Sequence, residues 1–157
     1  MITLEYFTNK DFTELMAWVS DEEILMNWSG ALFSFPLTQS SMEWYIEDVN
    51  DIKNSEAFIY KAIHAETGKT VGHISLGGIS KKNRAGRISR VLVAPEYQGK
   101  GYCRQMVSAV LKIGFEDLQL QLEDEMAGLA AHVVLQTFKS GRLANRVETP
   151  VSFKAAL

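Results

Sequence analysis

The stretch RVLVAPEYQGKGYCRQMVSAVL, residues 90 to 111, decides how this chain is read. A run of aliphatic and β-branched residues stops at Pro95, and two glycines, Gly99 and Gly101, stand just beyond it. Behind them Cys103, Val107, Val110, Leu111 and Gly114 recur at helical spacing. A strand therefore passes into a helix through glycines. Glycines remove Cβ atoms where a backbone must come close to something. The first turn of a helix adds unpaired N–H groups and a partial positive charge, and Lys100 and Arg104 add more charge. The pattern suits a phosphate-bearing ligand held by backbone amides. On spacing alone, a glycine turn needed only for packing fits as well. The sequence holds no G-x-x-x-x-G-K-[ST] run, and Arg104 stands where a dinucleotide fingerprint needs its third glycine.

Outward from this stretch, the hydrophobic period divides the chain. Residues 2 to 7 alternate as a strand. Thr8 with Asp11 starts a helix carrying Phe12, Leu15, Met16 and Val19, and Ser20 with Glu23 forms a capping box before Ile24, Leu25 and Trp28. Thr38 caps a third helix with Met42, Tyr45, Ile46 and Val49 on its face. Residues 57 to 64, 71 to 79 and 87 to 93 then read as strands joined by polar turns, an antiparallel meander. Residues 132 to 138 predict a further strand, 141 to 149 a short helix and 151 to 157 the start of a last strand. The order of elements is α+β with a mostly antiparallel sheet.

The chain has 157 residues, 46% hydrophobic and 22% charged, which suits one domain over residues 1–157 with a real core. A net charge of −3 argues against a general nucleic-acid binder. The basic run from Lys81 to Arg90 reads as a solvated hairpin tip. Cys103 is the one cysteine, so no intrachain disulfide forms. The N-terminus lacks the pattern of a signal peptide and no apolar run is long enough to cross a membrane. The expectation is a cytoplasmic protein with no membrane, nucleic-acid or metal partner.

Gln98-Gly99-Lys100-Gly101-Tyr102-Cys103 resembles the Q/R-x-x-G-x-G/A signature of the GNAT superfamily of N-acetyltransferases. The preceding strand and loop, and the order of elements from residue 2 to about 118, are similar as well. AWVSDEEILMNWSG followed by FSFPLT looks loosely like the ribosomal-protein N-terminal acetyltransferase subgroup. Cys103 departs from the family's Gly or Ala, but it is small. The resemblance implies a GNAT-like mixed sheet flanked by helices, with acetyl-CoA as cosubstrate and an amine as acceptor. The backbone amides of Gln98, Gly99, Lys100, Gly101, Tyr102 and Cys103 would hold the pyrophosphate, with Arg104 nearby. Val91, Leu92 and Val93 would pair with the pantetheine arm, a Leu92 or Val93 N–H polarising the thioester carbonyl. Attack by the amine would be direct, leaving Cys103 a packing residue.

For the proton acceptor, His73 has a suitable intrinsic pKa, with a backbone-bonded strand histidine as the bland alternative; His64 and His132 are weaker, and water is a third carrier. Trp28, Phe33, Phe35, Trp44 and Tyr45 stand on the acceptor side, as pocket lining or as core. In family register, GRLANRVETPVSF (141–153) sets Glu148 where the family carries the tyrosine that protonates the leaving thiolate. Residues 119–157 are divergent, and the chain ends before the hairpin that completes the family's sheet. Two other readings follow. One is a CoA-binding module without turnover. The other is an α+β domain whose open sheet edge forms a homodimer.

Overall fold

The computed structural model describes residues 1–82 and 84–118. Strand β1 (Ile2–Tyr6) leads through a 3-10 turn into α1 (Phe12–Trp18). The turn is set by Thr8, whose N–H donates to Asp11 Oδ2 at 2.8 Å. Helix α2 (Glu22–Ser29) starts one residue later than the Ser20 capping box predicts. Its cap is Asp21, whose Oδ1 accepts from the Ile24 N–H at 2.8 Å. Helix α3 (Gln39–Tyr45) is capped by Thr38 as expected, with Oγ1 accepting from the Ser41 N–H at 3.1 Å.

The meander follows as β2 (Phe58–His64), β3 (Thr70–Ser80) and β4 (Ala85–Val93), then α4 (Tyr102–Glu116). The strands lie in the order β1-β2-β3-β4, every pair antiparallel. The described residues form the expected α+β fold with an antiparallel sheet. The segments read as a strand at 132–138, a helix at 141–149 and a strand at 151–157 lie outside the described residues.

Both faces of the sheet are covered, so β3 carries almost no exposed side chain. Successive residues point to opposite faces. Ile74 and Leu76 meet the buried face of α4, made of Cys103, Met106, Val107 and Val110. The other face meets α1, α2 and α3 through Phe12, Leu15, Trp28, Met42 and Tyr45, with Ile59 and Leu92 from the sheet. Each such side chain contributes about 1.5–3 kcal/mol when fully buried. Gly72 sets how closely α4 approaches β3. A Cβ there would stand 2.6 Å from Leu92 O and 2.7 Å from Met106 Sδ.

Candidate active site

Strand β4 is bulged. His73 faces Leu92 while Ser75 faces Ser89, so two steps along β3 match three along β4. The extra residue brings Arg90 into the left-handed region, with φ 49. Side chains from far along the sequence hold that conformation. The Arg90 carbonyl accepts from Trp28 Nε1–H at 3.1 Å and lies 2.9 Å from His73 Nδ1. A carbonyl only accepts, so Nδ1 carries the proton and Nε2 is bare. Tyr45 then donates its O–H to Nε2, at 3.3 Å. The chain Tyr45–His73–Arg90 carbonyl–Trp28 is a closed network in which every donor has an acceptor.

Its surroundings are aromatic. The His73 ring stands edge-on to Phe7 at 5.0 Å and to Trp28 at 5.4 Å. Trp28 stacks on Phe33 at 5.8 Å, and Phe33 meets Tyr45 edge-on at 5.6 Å. Trp28 and Tyr45 are core, Phe33 is half-buried, and Phe35 and Trp44 are exposed at 42% and 58%. Trp28 and Tyr45 thus take the core role among the two the sequence leaves open. Burial holds the Tyr45 phenol well above its usual range.

His73 is 0% exposed, and both ring nitrogens are engaged. Burial pushes its pKa down to about 4, aided by the Arg90 charge and opposed by the bond to the Arg90 carbonyl. The structure therefore places His73 as the backbone-bonded strand histidine, without the solvent access that a proton acceptor uses. His64 lies at the end of β2, its ring 6.0 Å from that of Tyr102. His132 and Glu148 lie outside the described residues.

Beyond the bulge, β4 rejoins β3, with the Ala94 N–H donating to Val71 O at 2.9 Å. Leu92 stands opposite His73, its carbonyl facing Gly72. Antiparallel alternation then turns the Val93 N–H and C=O to the outer edge. Gln98 Nε2 donates to that Val93 carbonyl at 3.3 Å, tying the loop to the strand end. Among the described residues nothing pairs with this edge.

The strand then turns through Pro95–Tyr97 into the two glycines, at φ 75 and φ 81. These values suit glycine and strain any other residue. An added Cβ at either glycine would meet nothing within 4 Å. Their smallness is therefore not demanded by internal packing, and a ligand can reach the backbone here. Gly101 is the N-cap of α4 and supplies no side-chain cap. The first helical bond is Gln105 N–H to Gly101 O at 3.3 Å, which leaves the N–H groups of Tyr102, Cys103 and Arg104 without an acceptor within the helix. Lys100 lies over the Tyr97 ring, with Nζ 5.4 Å from its centroid, at the same opening. Cys103 points inward instead, and burial pushes its thiol up to about 12.

Sequence reasoning misses the part played by Arg90. It is half-buried, not part of the solvated hairpin tip. Its signal is a cation directly before the apolar run VLV, well past the hairpin tip.

Among the described residues, then, an unpaired strand edge runs into a glycine loop suited to an anion, which fits an extended, phosphate-bearing ligand. The Acetyltransferase (GNAT) domain family matches residues 2–147, and the chain belongs to that family. Spermidine N-acetyltransferase from Vibrio cholerae, in a crystal structure with CoA and spermine, matches at a TM-score of 0.63 and 18% identity. That match covers 84% of this chain and 78% of that one. A dodecameric structure of the same enzyme gives 0.57 and 16%, over 87% and 77%. At such identity these matches establish the fold. Acetyl-CoA is the cosubstrate of the family, and the residues present fit it: the glycine loop is open to solvent where a pyrophosphate would lie, and three helix N–H groups have no acceptor among the described residues. Among the described residues no helix is long and apolar enough to cross a membrane.

Proposed function

We propose that this chain acetylates a primary amine from acetyl-CoA by direct attack, as a single domain over residues 1–157. The observation that carries the reading is the continuous path, among the described residues, from the unpaired outer edge of β4 to the start of α4, which no side chain caps. Acetyl-CoA supplies an activated acetyl thioester, from which the acceptor nitrogen takes the acetyl group while CoA leaves as the thiol. The backbone of Val91, Leu92 and Val93 borders the pantetheine arm. Among these, the outward N–H of Val93 is the better placed to polarise the carbonyl, since Leu92 faces β3. Gln98, Gly99, Lys100, Gly101, Tyr102, Cys103 and Arg104 hold the pyrophosphate, mainly through their amides.

His73 serves in this reading as a positioning residue. It fixes the Arg90 carbonyl, and through it the bulge, while the ammonium proton of the acceptor passes to water. Glu148, at the position of the family's tyrosine, is the proposed proton donor to the departing sulfur. The protein is read as cytoplasmic, with Cys103 reduced, and a homodimer is the proposed assembly.

The test is thiol release from acetyl-CoA against polyamines, amino acids and N-terminal peptides. Spermidine and spermine are included because the fold neighbour binds spermine. Amine-dependent release supports the reading. Tight CoA binding with no release for any amine replaces it with the CoA-binding module.

A further inference from the structure

Among the described residues, Arg90 is a cation without a counter-ion. Its guanidinium lies over the Tyr45 ring, Cζ 5.5 Å from the centroid, and Nη1 donates to Ser89 Oγ at 3.2 Å. The Ser75 hydroxyl approaches both neighbours, 3.0 Å from Ser89 Oγ and beside the Tyr45 phenol. None of these groups is negative. Among the described residues the ion pairs are Lys61 with Glu5 and Asp11, and Lys112 with Glu116; no carboxylate reaches Arg90. Its Nε is sealed from solvent and, among the described residues, has no hydrogen-bond partner. A buried guanidinium donor without an acceptor is costly, and a planar fork of N–H donors matches a carboxylate.

The backbone confirms that the position is specified. Arg90 accepts a left-handed φ of 49, and two buried donors, from Trp28 and His73, hold its carbonyl. Fixing the carbonyl fixes where the side chain starts. It starts one residue before Val91–Val93, the segment assigned to the acyl carrier, and on the side of Trp28 in α2 and Tyr45 in α3, near the half-buried Phe33. A group paired with Arg90 would therefore belong to the acceptor.

We propose that Arg90 selects an amine acceptor that also bears a carboxylate, and disfavours polyamines, whose added positive charge it repels. This rests on the acetyltransferase reading above. The carboxylate would accept from the Nη end of the half-buried guanidinium, with the Tyr45 ring packed against its face. A charge-assisted hydrogen bond of this kind is worth about tenfold to a hundredfold in binding.

The experiment uses amine pairs that differ only in the carboxylate: ornithine and putrescine, lysine and cadaverine. A second arm pairs peptides starting with Asp or Asn, which separates a free amino acid from an acidic peptide as the source. The wild type is expected to prefer the carboxylate member by about tenfold or more in kcat/KM. Arg90→Gln is expected to abolish the preference and raise polyamine turnover with the acetyl-CoA KM unchanged; Arg90→Lys, which keeps the charge, is expected to retain part of it. Equal wild-type rates within each pair would overturn the proposal, as would an Arg90→Gln that slows both members alike. If no amine turns over, the same pairs are read by thermal shift with CoA present. A shift confined to the carboxylate members supports the proposal, and equal or absent shifts overturn it. Failure to bind CoA at all defeats the acetyltransferase reading instead.

Discussion

Replacing Gly101 by alanine imposes two costs that can be measured apart. The first is conformational. Gly101 has φ 81, and an L-residue there costs about 1–2 kcal/mol. For a chain of this length that lowers Tm by roughly 2–8 °C. No clash adds to it, since a Cβ meets nothing within 4 Å. The second cost falls on the ligand, because the methyl enters the space through which the pyrophosphate approaches the α4 amides. Losing one or two charge-assisted hydrogen bonds weakens binding by about 1.5–3 kcal/mol each, a hundredfold or more for both. Gly78→Ala is the control: Gly78 has φ 58 and equally open space, but lies on β3 toward the β3–β4 hairpin. The assay is a thermal melt with and without CoA at about a hundred times the wild-type Kd. Wild type and Gly78→Ala should gain about 2.7 kcal/mol, and Gly101→Ala no more than about 0.4 kcal/mol. A folded Gly101→Ala that keeps the full gain would refute the placement of the pyrophosphate.

Two further predictions concern the buried groups. His73 is held neutral, its pKa down to about 4 from the ordinary 6.5, chiefly by burial. Below pH 6.5 the unfolded chain takes up a proton that the folded ring refuses until about pH 4, so stability is full above pH 6.5 and is lost as pH falls. Denaturant unfolding should show about 2 kcal/mol lost between pH 7 and pH 5 that a folded His73→Gln does not lose; equal losses would show that the ring is not sealed. Cys103→Ala should lower Tm by a few degrees, about 1 kcal/mol for a small buried group, and keep turnover within a few fold. A hundredfold fall in turnover with CoA affinity intact would point to a covalent route through the thiol.

What the sequence makes legible here is local. Thr8 with Asp11, and Thr38, reveal helix starts because a cap acts on a backbone N–H or partner within three residues of itself. Ser20 and Asp21 are both competent caps, and the choice of Asp21 depends on how α2 is docked, which spacing does not report. The change of period after residue 57 exposes the meander, and the glycine run exposes the cradle. The α4 face is read correctly except for Met106, which is fully buried against Gly72. The bulge is not legible, because its causes lie far away: Trp28 is 62 residues and His73 17 residues from the Arg90 carbonyl. For the same reason Arg90 reads as one more cation of a basic loop until the Tyr45 ring is seen beneath it.

The central claim is that β4 and the start of α4 together hold the cosubstrate through backbone amides. A titration of the nitrogen-15-labelled protein with CoA, followed amide by amide, tests it most directly. The account predicts the largest shifts at Val93 and at Gly99 through Arg104, with Leu92, bonded into the sheet toward His73, moving less. Saturable binding that moves other amides and leaves Val93 and the glycine loop in place would contradict it.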